Sequence, residues 1–238
     1  MEDFEFKNSI FVLCGNARSF LDCIDSCFVH VITKLFKGTN TNIMVLFYLK
    51  LNDPKHPVFN SFNDINRKSI QDKLTELKKY NIHIESIILD DNEMKDMDIL
   101  STVKDRSKYV EFFDKDENLI RALQCHYNFE ACGKKILSYP IKFDTFVYIR
   151  PDLLFTKDCD SIDKYSDKIV TLCLGSSKYA YDDHAAIIPK EYFYSFFFDR
   201  MITYRTNTSK KYRYAEDVYL KTIEYEKKEF GAFEIKRD

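Results

Sequence analysis

Residues Ile10-Phe11-Val12-Leu13-Cys14-Gly15-Asn16 form an unbroken apolar run closed by a glycine and an asparagine. This pattern predicts a strand buried on both faces that ends in a turn. Apolar residues at helical spacing follow over 19–36, and Gly38 is placed to end that helix. A second all-apolar strand is predicted over 43–49. The chain therefore opens as strand, helix and strand.

The alternation of helices and strands continues along the chain. A polar helix over 61–79 precedes a strand over 82–89, and a long helix over 117–137 precedes a strand over 143–149. Continuous apolar strands that alternate with helices are typical of an α/β fold in which helices flank a mostly parallel sheet. The later strands are not each preceded by a helix, which predicts a mixed sheet in the C-terminal half. The later segments are strands at 168–174, 185–188 and 230–235 and helices at 190–203 and 214–228.

Length, composition and charge limit the class of protein. The chain has 238 residues, 45% of them hydrophobic, and no repeat or Gly/Ser linker divides it, so we expect one domain over 1–238. A formal charge of -2 argues against the basic face of a nucleic-acid binder. No apolar run approaches the roughly 20 residues that span a bilayer. Residues 1–5 are acidic where a secretory signal is basic, so we predict a cytoplasmic protein.

The seven cysteines do not form a recognisable metal or disulfide framework. Neither a Cys-x-x-Cys nor a His/Cys cluster at zinc spacing occurs, and we expect reduced thiols. They are Cys14, Cys23, Cys27, Cys125, Cys132, Cys159 and Cys173.

Ligands of open α/β sheets bind beyond the carboxyl ends of the strands, which selects four turns as candidate sites. They are 15–18, 50–53, 90–91 and 150–152. The first turn opens a helix, whose amides can bind an anion with help from Arg18. Its single glycine does not match the dinucleotide fingerprint, and no P-loop sequence is present.

The strongest local signal is the strand exit Arg150-Pro151-Asp152. Proline cannot continue a central strand, so the chain delivers a cation and a carboxylate to one sheet edge. Arg150 could bind a diphosphate, and Asp152 a divalent cation or a sugar hydroxyl. An Arg–Asp ion pair that caps the strand explains the same residues equally well.

These features together resemble glycosyltransferases of the GT-A type, especially those of polysaccharide gene clusters and large DNA viruses. The matching positions run in order over most of the chain. They are Gly15-Asn16-Ala17-Arg18-Ser19-Phe20, then Gln124 and Tyr127, then Phe143-Asp144, and finally Arg150-Pro151-Asp152-Leu153.

The resemblance implies transfer of a sugar from a nucleotide-diphospho-sugar donor to a glycan or other hydroxyl acceptor. It implies a GT-A-like, Rossmann-like domain with a nucleotide-sugar half at about 1–155 and an acceptor half at about 156–238. In such enzymes an Asp-x-Asp at this strand exit holds Mn²⁺ or Mg²⁺. Here Arg150 replaces the first acid, so only Asp152 is left as a metal ligand. The residues assigned to the donor side are Gly15, Asn16, Arg18, Gln124, Arg150 and Asp152.

Two acidic pairs are candidates for the catalytic base that an inverting transfer requires. Asp182 and Asp183 precede the strand at 185–188, and Glu216 and Asp217 open the predicted helix at 214–228. A solvated turn explains the first pair, and favourable charge at a helix N-terminus explains the second. The basic and aromatic segment 204–214 is a lid, a nucleic-acid contact or a solvated loop.

Two other functions compete with sugar transfer. The missing first acid of Asp-x-Asp is also expected of a catalytically inactive, glycosyltransferase-like module that binds carbohydrate or protein. A metal-dependent nuclease needs an acid-x-Lys on the next strand, and the chain offers only Asp167-Lys168 without the intervening residue.

Overall fold

The computed structural model describes residues 7–51, 65–89, 101, 103–104, 116–165, 168–172, 184–206, 225–228 and 233–235. The strands in these residues are β1 (Lys7–Asn16), β2 (Thr41–Lys50), β3 (His83–Leu89), β4 (Thr145–Ile149), β5 (Leu153–Phe155), β6 (Ile169–Leu172), β7 (Ala185–Pro189), β8 (Tyr225–Lys228) and β9 (Phe233–Ile235). The helices are α1 (Phe20–Cys27), α2 (Thr33–Leu35), α3 (Arg67–Leu77), α4 (Asp116–Leu137), α5 (Phe193–Phe197) and α6 (Asp199–Arg205). A π-helical turn, Phe28–Ile32, joins α1 to α2.

The main sheet has the strand order β3-β2-β1-β4-β7-β6-β8. β3, β2, β1 and β4 are parallel neighbours, and β7 runs antiparallel to both β4 and β6. β8 pairs parallel to β6, so β7 alone is reversed among the described strands of this sheet. β5 and β9 form a separate antiparallel pair. The predicted α/β fold, with a mostly parallel sheet that becomes mixed in its C-terminal half, is confirmed.

The central strands β1, β2 and β4 are largely apolar because helices cover both faces of the sheet there. Successive side chains of a strand point to opposite faces. On β1, Phe11 and Leu13 pack with α1 to α3, whereas Ile10, Val12 and Cys14 pack with α4 and α5. The same alternation continues on β2 and β4, so each central strand contributes to two cores.

Several predicted boundaries need correction. The helix predicted over 61–79 begins at Arg67, because Asn66 caps it by accepting a hydrogen bond from the Ser69 amide at 3.0 Å. The helix predicted over 190–203 is divided into a 3₁₀ turn (Lys190–Tyr192), α5 and α6. The helix predicted over 214–228 is wrong at its end, since Tyr225–Lys228 is a strand paired with β6. Within the described residues, no helix combines the length and apolar composition needed to cross a membrane.

The absence of a side chain at Gly133 allows α4 to pack closely against the turn between α5 and α6. A Cβ added there would lie 2.7 Å from Cε2 of Phe198 and 2.9 Å from Cβ of Phe197. Such distances are well inside van der Waals contact, so either the phenylalanine ring or the helix would have to move.

We expect Gly133→Ala to destabilise the protein by up to about 2 kcal/mol in urea unfolding. Overpacking costs about 1–3 kcal/mol, and the better helix propensity of alanine offsets about 1 kcal/mol of that. Adding Phe198→Leu, which shortens the clashing side chain, should restore part of the loss. A Gly133→Ala protein at least as stable as the wild type would contradict this packing.

A buried carboxylate joins α6 to α4. Glu130 is 4% exposed, and its two oxygens accept hydrogen bonds from Nη1 and Nη2 of Arg205, both at 2.7 Å. Lys134 adds a contact at 3.1 Å. Burial by itself raises the pKa of Glu130, but the bonds from Arg205 and Lys134 outweigh it, so the pKa is lowered.

Replacing Arg205 with alanine should therefore cost about 1–3 kcal/mol of stability. The loss is smaller than for a fully buried pair, because Arg205 is partly exposed and Lys134 remains beside Glu130. The matched control is Lys164→Ala, whose pair with Asp160 is exposed on both sides and should cost about 0.5 kcal/mol or less.

The stability that the Glu130–Arg205 ion pair contributes should depend on pH in one direction only. Because the folded pKa of Glu130 is lowered, its contribution is complete above the unfolded glutamate pKa of about 4.3 and is lost as pH falls through the folded pKa. The difference in stability between wild type and Arg205→Ala should therefore shrink in urea titrations below about pH 4. A difference that stays constant down to pH 2 would exclude this linkage.

Candidate functional site

The carboxyl ends of four parallel strands meet at one edge of the sheet. Asn16 of β1 is paired with Lys50 of β2, and Lys50 with Leu89 of β3. Leu13 of β1 is paired with Ile149, the last residue of β4. The turns that follow β1 and β4 therefore lie side by side, as the sequence predicts.

Gly15 and Pro151 bring these two turns into contact. Gly15 has a φ of +146°, which residues with side chains rarely adopt. A Cβ added at Gly15 would lie 3.2 Å from Cδ of Pro151, and Pro151 itself is buried. The amide of Ala17 donates to the carbonyl of Lys50 at 2.8 Å and so ties the β1 turn to the end of β2. The candidate donor-side residues Gly15, Asn16 and Arg150 are therefore neighbours.

Arg150 and Asp152 form a bidentate ion pair. Nε of Arg150 donates to Oδ1 of Asp152 at 3.0 Å, and Nη2 donates to Oδ2 at 2.6 Å. The Asp152 side chain is 4% exposed and the Arg150 side chain 20% exposed. The contact fixes the plane of the guanidinium along one of its edges, while part of the Arg150 side chain reaches the surface. The strand-capping ion pair that the sequence allowed is therefore present, and the binding roles of Arg150 and Asp152 stay predictions.

The pair also determines whether this strand exit fits a divalent cation. Both carboxylate oxygens of Asp152 already face the positive guanidinium, which disfavours a second cation there. In the part of the chain that the structure describes, no three His, Cys, Asp or Glu side chains are grouped to hold a metal ion. The described residues therefore offer no preformed metal site at this strand exit, and the metal role of Asp152 stays a prediction.

The turn between β1 and α1 offers fewer amides to an anion than the sequence suggests. The Phe20 amide donates to the Ala17 carbonyl at 3.0 Å, and the Asp22 amide donates to the Ser19 carbonyl at 3.1 Å. Arg18 is half-buried in this turn. Positive charge is therefore the main feature that the described turns could offer a diphosphate.

The chain enters β7 at the same edge. β7 is antiparallel to β4, with Ala185 opposite Ile149, and the amide of Arg150 donates to the His184 carbonyl at 2.8 Å. Asp182 and Asp183 directly precede His184 in the sequence. Asp182, Asp183, Glu216, Asp217 and the segment 207–214 lie outside the described residues, so their predicted roles stay predictions.

The first half of α4 carries buried polar residues that the sequence analysis missed. Gln124, assigned to the donor side, is half-buried, whereas His126 and Asn128 are only 5% and 7% exposed. Burial lowers the pKa of His126 well below its usual range, and the charge of Arg200 lowers it further, so His126 is neutral at pH 7. Arg200 stacks on Phe129, with its guanidinium carbon 3.9 Å from the ring centroid. A single sequence carries no signal that distinguishes these buried polar residues from polar residues on the surface of the helix.

The similarity of this chain to known proteins is structural and distant. No family model matches the chain, and no curated protein matches its sequence. The fold is similar to the crystal structure of the glycosyltransferase GlyE of Streptococcus pneumoniae TIGR4, with a TM-score of 0.44 and 12% identity. The similarity covers 94% of this chain and 45% of that chain, so this chain spans less than half the length of that protein.

The contact between Gly15 and Pro151 can be separated from backbone strain. Gly38 also has a positive φ, +84°, but a Cβ added there meets nothing within 4 Å. Gly38→Ala should therefore cost about 1–2 kcal/mol through strain alone. Gly15→Ala should cost at least about 1 kcal/mol more in the same urea titration, because φ +146° is less accessible to alanine than φ +84° and the new methyl group also presses on a rigid proline ring. Equal losses for the two variants would show that the Pro151 contact contributes nothing.

Proposed function

We propose that the protein is a glycosyltransferase that uses a nucleotide-diphospho-sugar donor, bound where β1 and β4 end. The observation that supports this most is the contact of the Gly15 turn with Pro151, whose neighbour Arg150 has a partly exposed side chain. A leaving diphosphate develops negative charge, and a preorganised cation at that position stabilises it.

Arg150 takes the role of neutralising the diphosphate in this proposal. Asp152 then acts as a positioning residue, because its bidentate contact holds the guanidinium plane in place. An arginine held in this way binds phosphate oxygens well, since its N–H groups lie in one plane in a fixed geometry.

The transfer itself requires three changes of bonding. The acceptor hydroxyl loses its proton, its oxygen bonds to the anomeric carbon, and the bond from that carbon to the diphosphate breaks. For transfer with inversion we propose a carboxylate among Asp182, Asp183, Glu216 and Asp217 as the base. The entry of the chain into β7 beside Arg150 supports Asp182 and Asp183 in particular.

A second candidate function has an observation in its favour. In a catalytically inactive, glycosyltransferase-like module the buried Arg150–Asp152 pair would serve only to cap β4. Such a module predicts binding of carbohydrate or protein without turnover of any nucleotide sugar.

Binding of a nucleoside diphosphate tests the proposal. In thermal-shift measurements with UDP, GDP, CDP and ADP, with and without Mn²⁺ or Mg²⁺, at least one nucleotide should raise the unfolding temperature. The double variant Arg150→Gln, Asp152→Asn keeps a neutral hydrogen-bonded pair and should stay folded but lose this shift. Arg67→Ala, on the exposed side of α3, is the matched control and should keep it.

Each outcome has a clear consequence. If no nucleotide stabilises the wild type, or if the double variant keeps the full shift, sugar transfer at this site is wrong. Incubating the corresponding nucleotide sugar with the protein then separates the two functions. Release of the nucleoside diphosphate supports the enzyme, whereas binding without release supports the inactive module.

A further inference from the structure

The helix α4 extends past the ends of the strands at the edge where β1 and β4 stop. It runs antiparallel to them, since Cys132 lies in one core cluster with Cys14 near the end of β1, and Tyr139, just after the helix, donates to Glu85 near the start of β3. With a rise of about 1.5 Å per residue, Asn128 lies about 6 Å, and Gln124 about 12 Å, beyond Cys132 along the helix axis. Asn128 is therefore level with the end of β1, and Gln124 lies beyond it.

Gln124 and Asn128 lie on one stripe of α4, because residues four apart are neighbours on a helix surface and Cys132 continues the same stripe. A second stripe, which faces the sheet, shares Cys132 with the first and also carries Phe129 and Ile136. All three side chains are buried. Cys125 continues that second stripe toward the sheet edge and is exposed. The sheet-facing side of α4 therefore becomes exposed at Cys125, next to the half-buried Gln124 and about one turn before the buried Asn128.

Asn128 has a feature that packing alone does not explain. It is 93% removed from solvent, and its Oδ1 has no hydrogen-bond partner in the part of the chain that the structure describes. A buried acceptor without a partner is rare and destabilising in a folded protein, and leucine would fill the same space without that cost. An unsatisfied acceptor at the end of β1 points to a ligand that supplies the donor.

We propose that Asn128, together with Gln124, binds the nucleobase of the donor, an inference that rests on the function proposed above. A carboxamide presents an acceptor and two donors side by side, which complements the N–H and carbonyl groups on the edge of a base. It carries no charge, so it is suited to a base and not to the diphosphate, which the cation Arg150 would bind. The stripe of Gln124 and Asn128 thus selects the nucleotide.

The test compares Asn128→Leu with wild type by thermal unfolding and by calorimetric titration with the stabilising nucleoside diphosphate and with inorganic pyrophosphate. The free variant should unfold at the same or a higher temperature, because an unsatisfied acceptor is removed. Its affinity for the nucleoside diphosphate should fall at least about tenfold. Its affinity for pyrophosphate, which has no base, should stay unchanged. Asn42→Leu, at the opposite edge of the sheet, is the matched control.

Alkylation of Cys125 by iodoacetamide, read by peptide mass spectrometry, gives an independent readout. The nucleoside diphosphate should slow alkylation of Cys125 in wild type, and pyrophosphate should not. Gln124→Ala, at a half-buried position that tolerates truncation, should weaken nucleotide binding even if Asn128→Leu fails to fold.

Failure of the proposed function and failure of the inference about Asn128 and Gln124 give different results. If wild type binds no nucleoside diphosphate, the proposed function is wrong and this inference with it. If wild type binds one and neither the Asn128→Leu nor the Gln124→Ala variant alters its affinity, the inference alone is wrong. A lower unfolding temperature of Asn128→Leu with unchanged nucleotide affinity would show that Asn128 is structural.

Discussion

The close approach of Gly15 to Pro151 is the constraint on which the geometry of this sheet edge depends. Gly15 is the penultimate residue of β1 and Pro151 lies two residues after the end of β4, and a Cβ on Gly15 would lie only 3.2 Å from the proline ring. Glycine supplies the positive φ that turns the chain toward α1, while proline stops the ladder of β4. Because the two strands are parallel neighbours, groups on both turns are brought to one place.

A buried carboxylate next to that contact explains why the strand exit carries an arginine. Asp152 is almost fully buried, and a charge in that position is stable only when it is paired. Arg150 supplies the pair and remains partly exposed, so the ion pair stabilises the turn and presents positive charge at the same time. In the GT-A enzymes that the sequence resembles, an acid and a metal ion occupy this position. We propose that this chain has the cation built into its own strand exit.

The main strands and the long helix could be predicted because their signals are local. β1, β2 and β4 are buried on both faces, so they are continuous apolar runs, and the break at Pro151 follows from the chemistry of proline. Other features depend on distant contacts. Tyr225–Lys228 has a charged composition typical of a helix, yet it pairs with β6. Asn128 and His126 could not be distinguished from surface residues of α4, because a single sequence does not show which polar residues a neighbouring element covers.

The central claim is that the edge beside Gly15 binds a nucleoside diphosphate. A crystal structure of the protein soaked with the nucleotide that binds most tightly tests it most directly. The account predicts diphosphate oxygens within hydrogen-bonding distance of the Arg150 guanidinium and the base against α4 near Gln124 and Asn128. Nucleotide bound elsewhere on the molecule, with the Arg150–Asp152 turn facing only solvent, would contradict it.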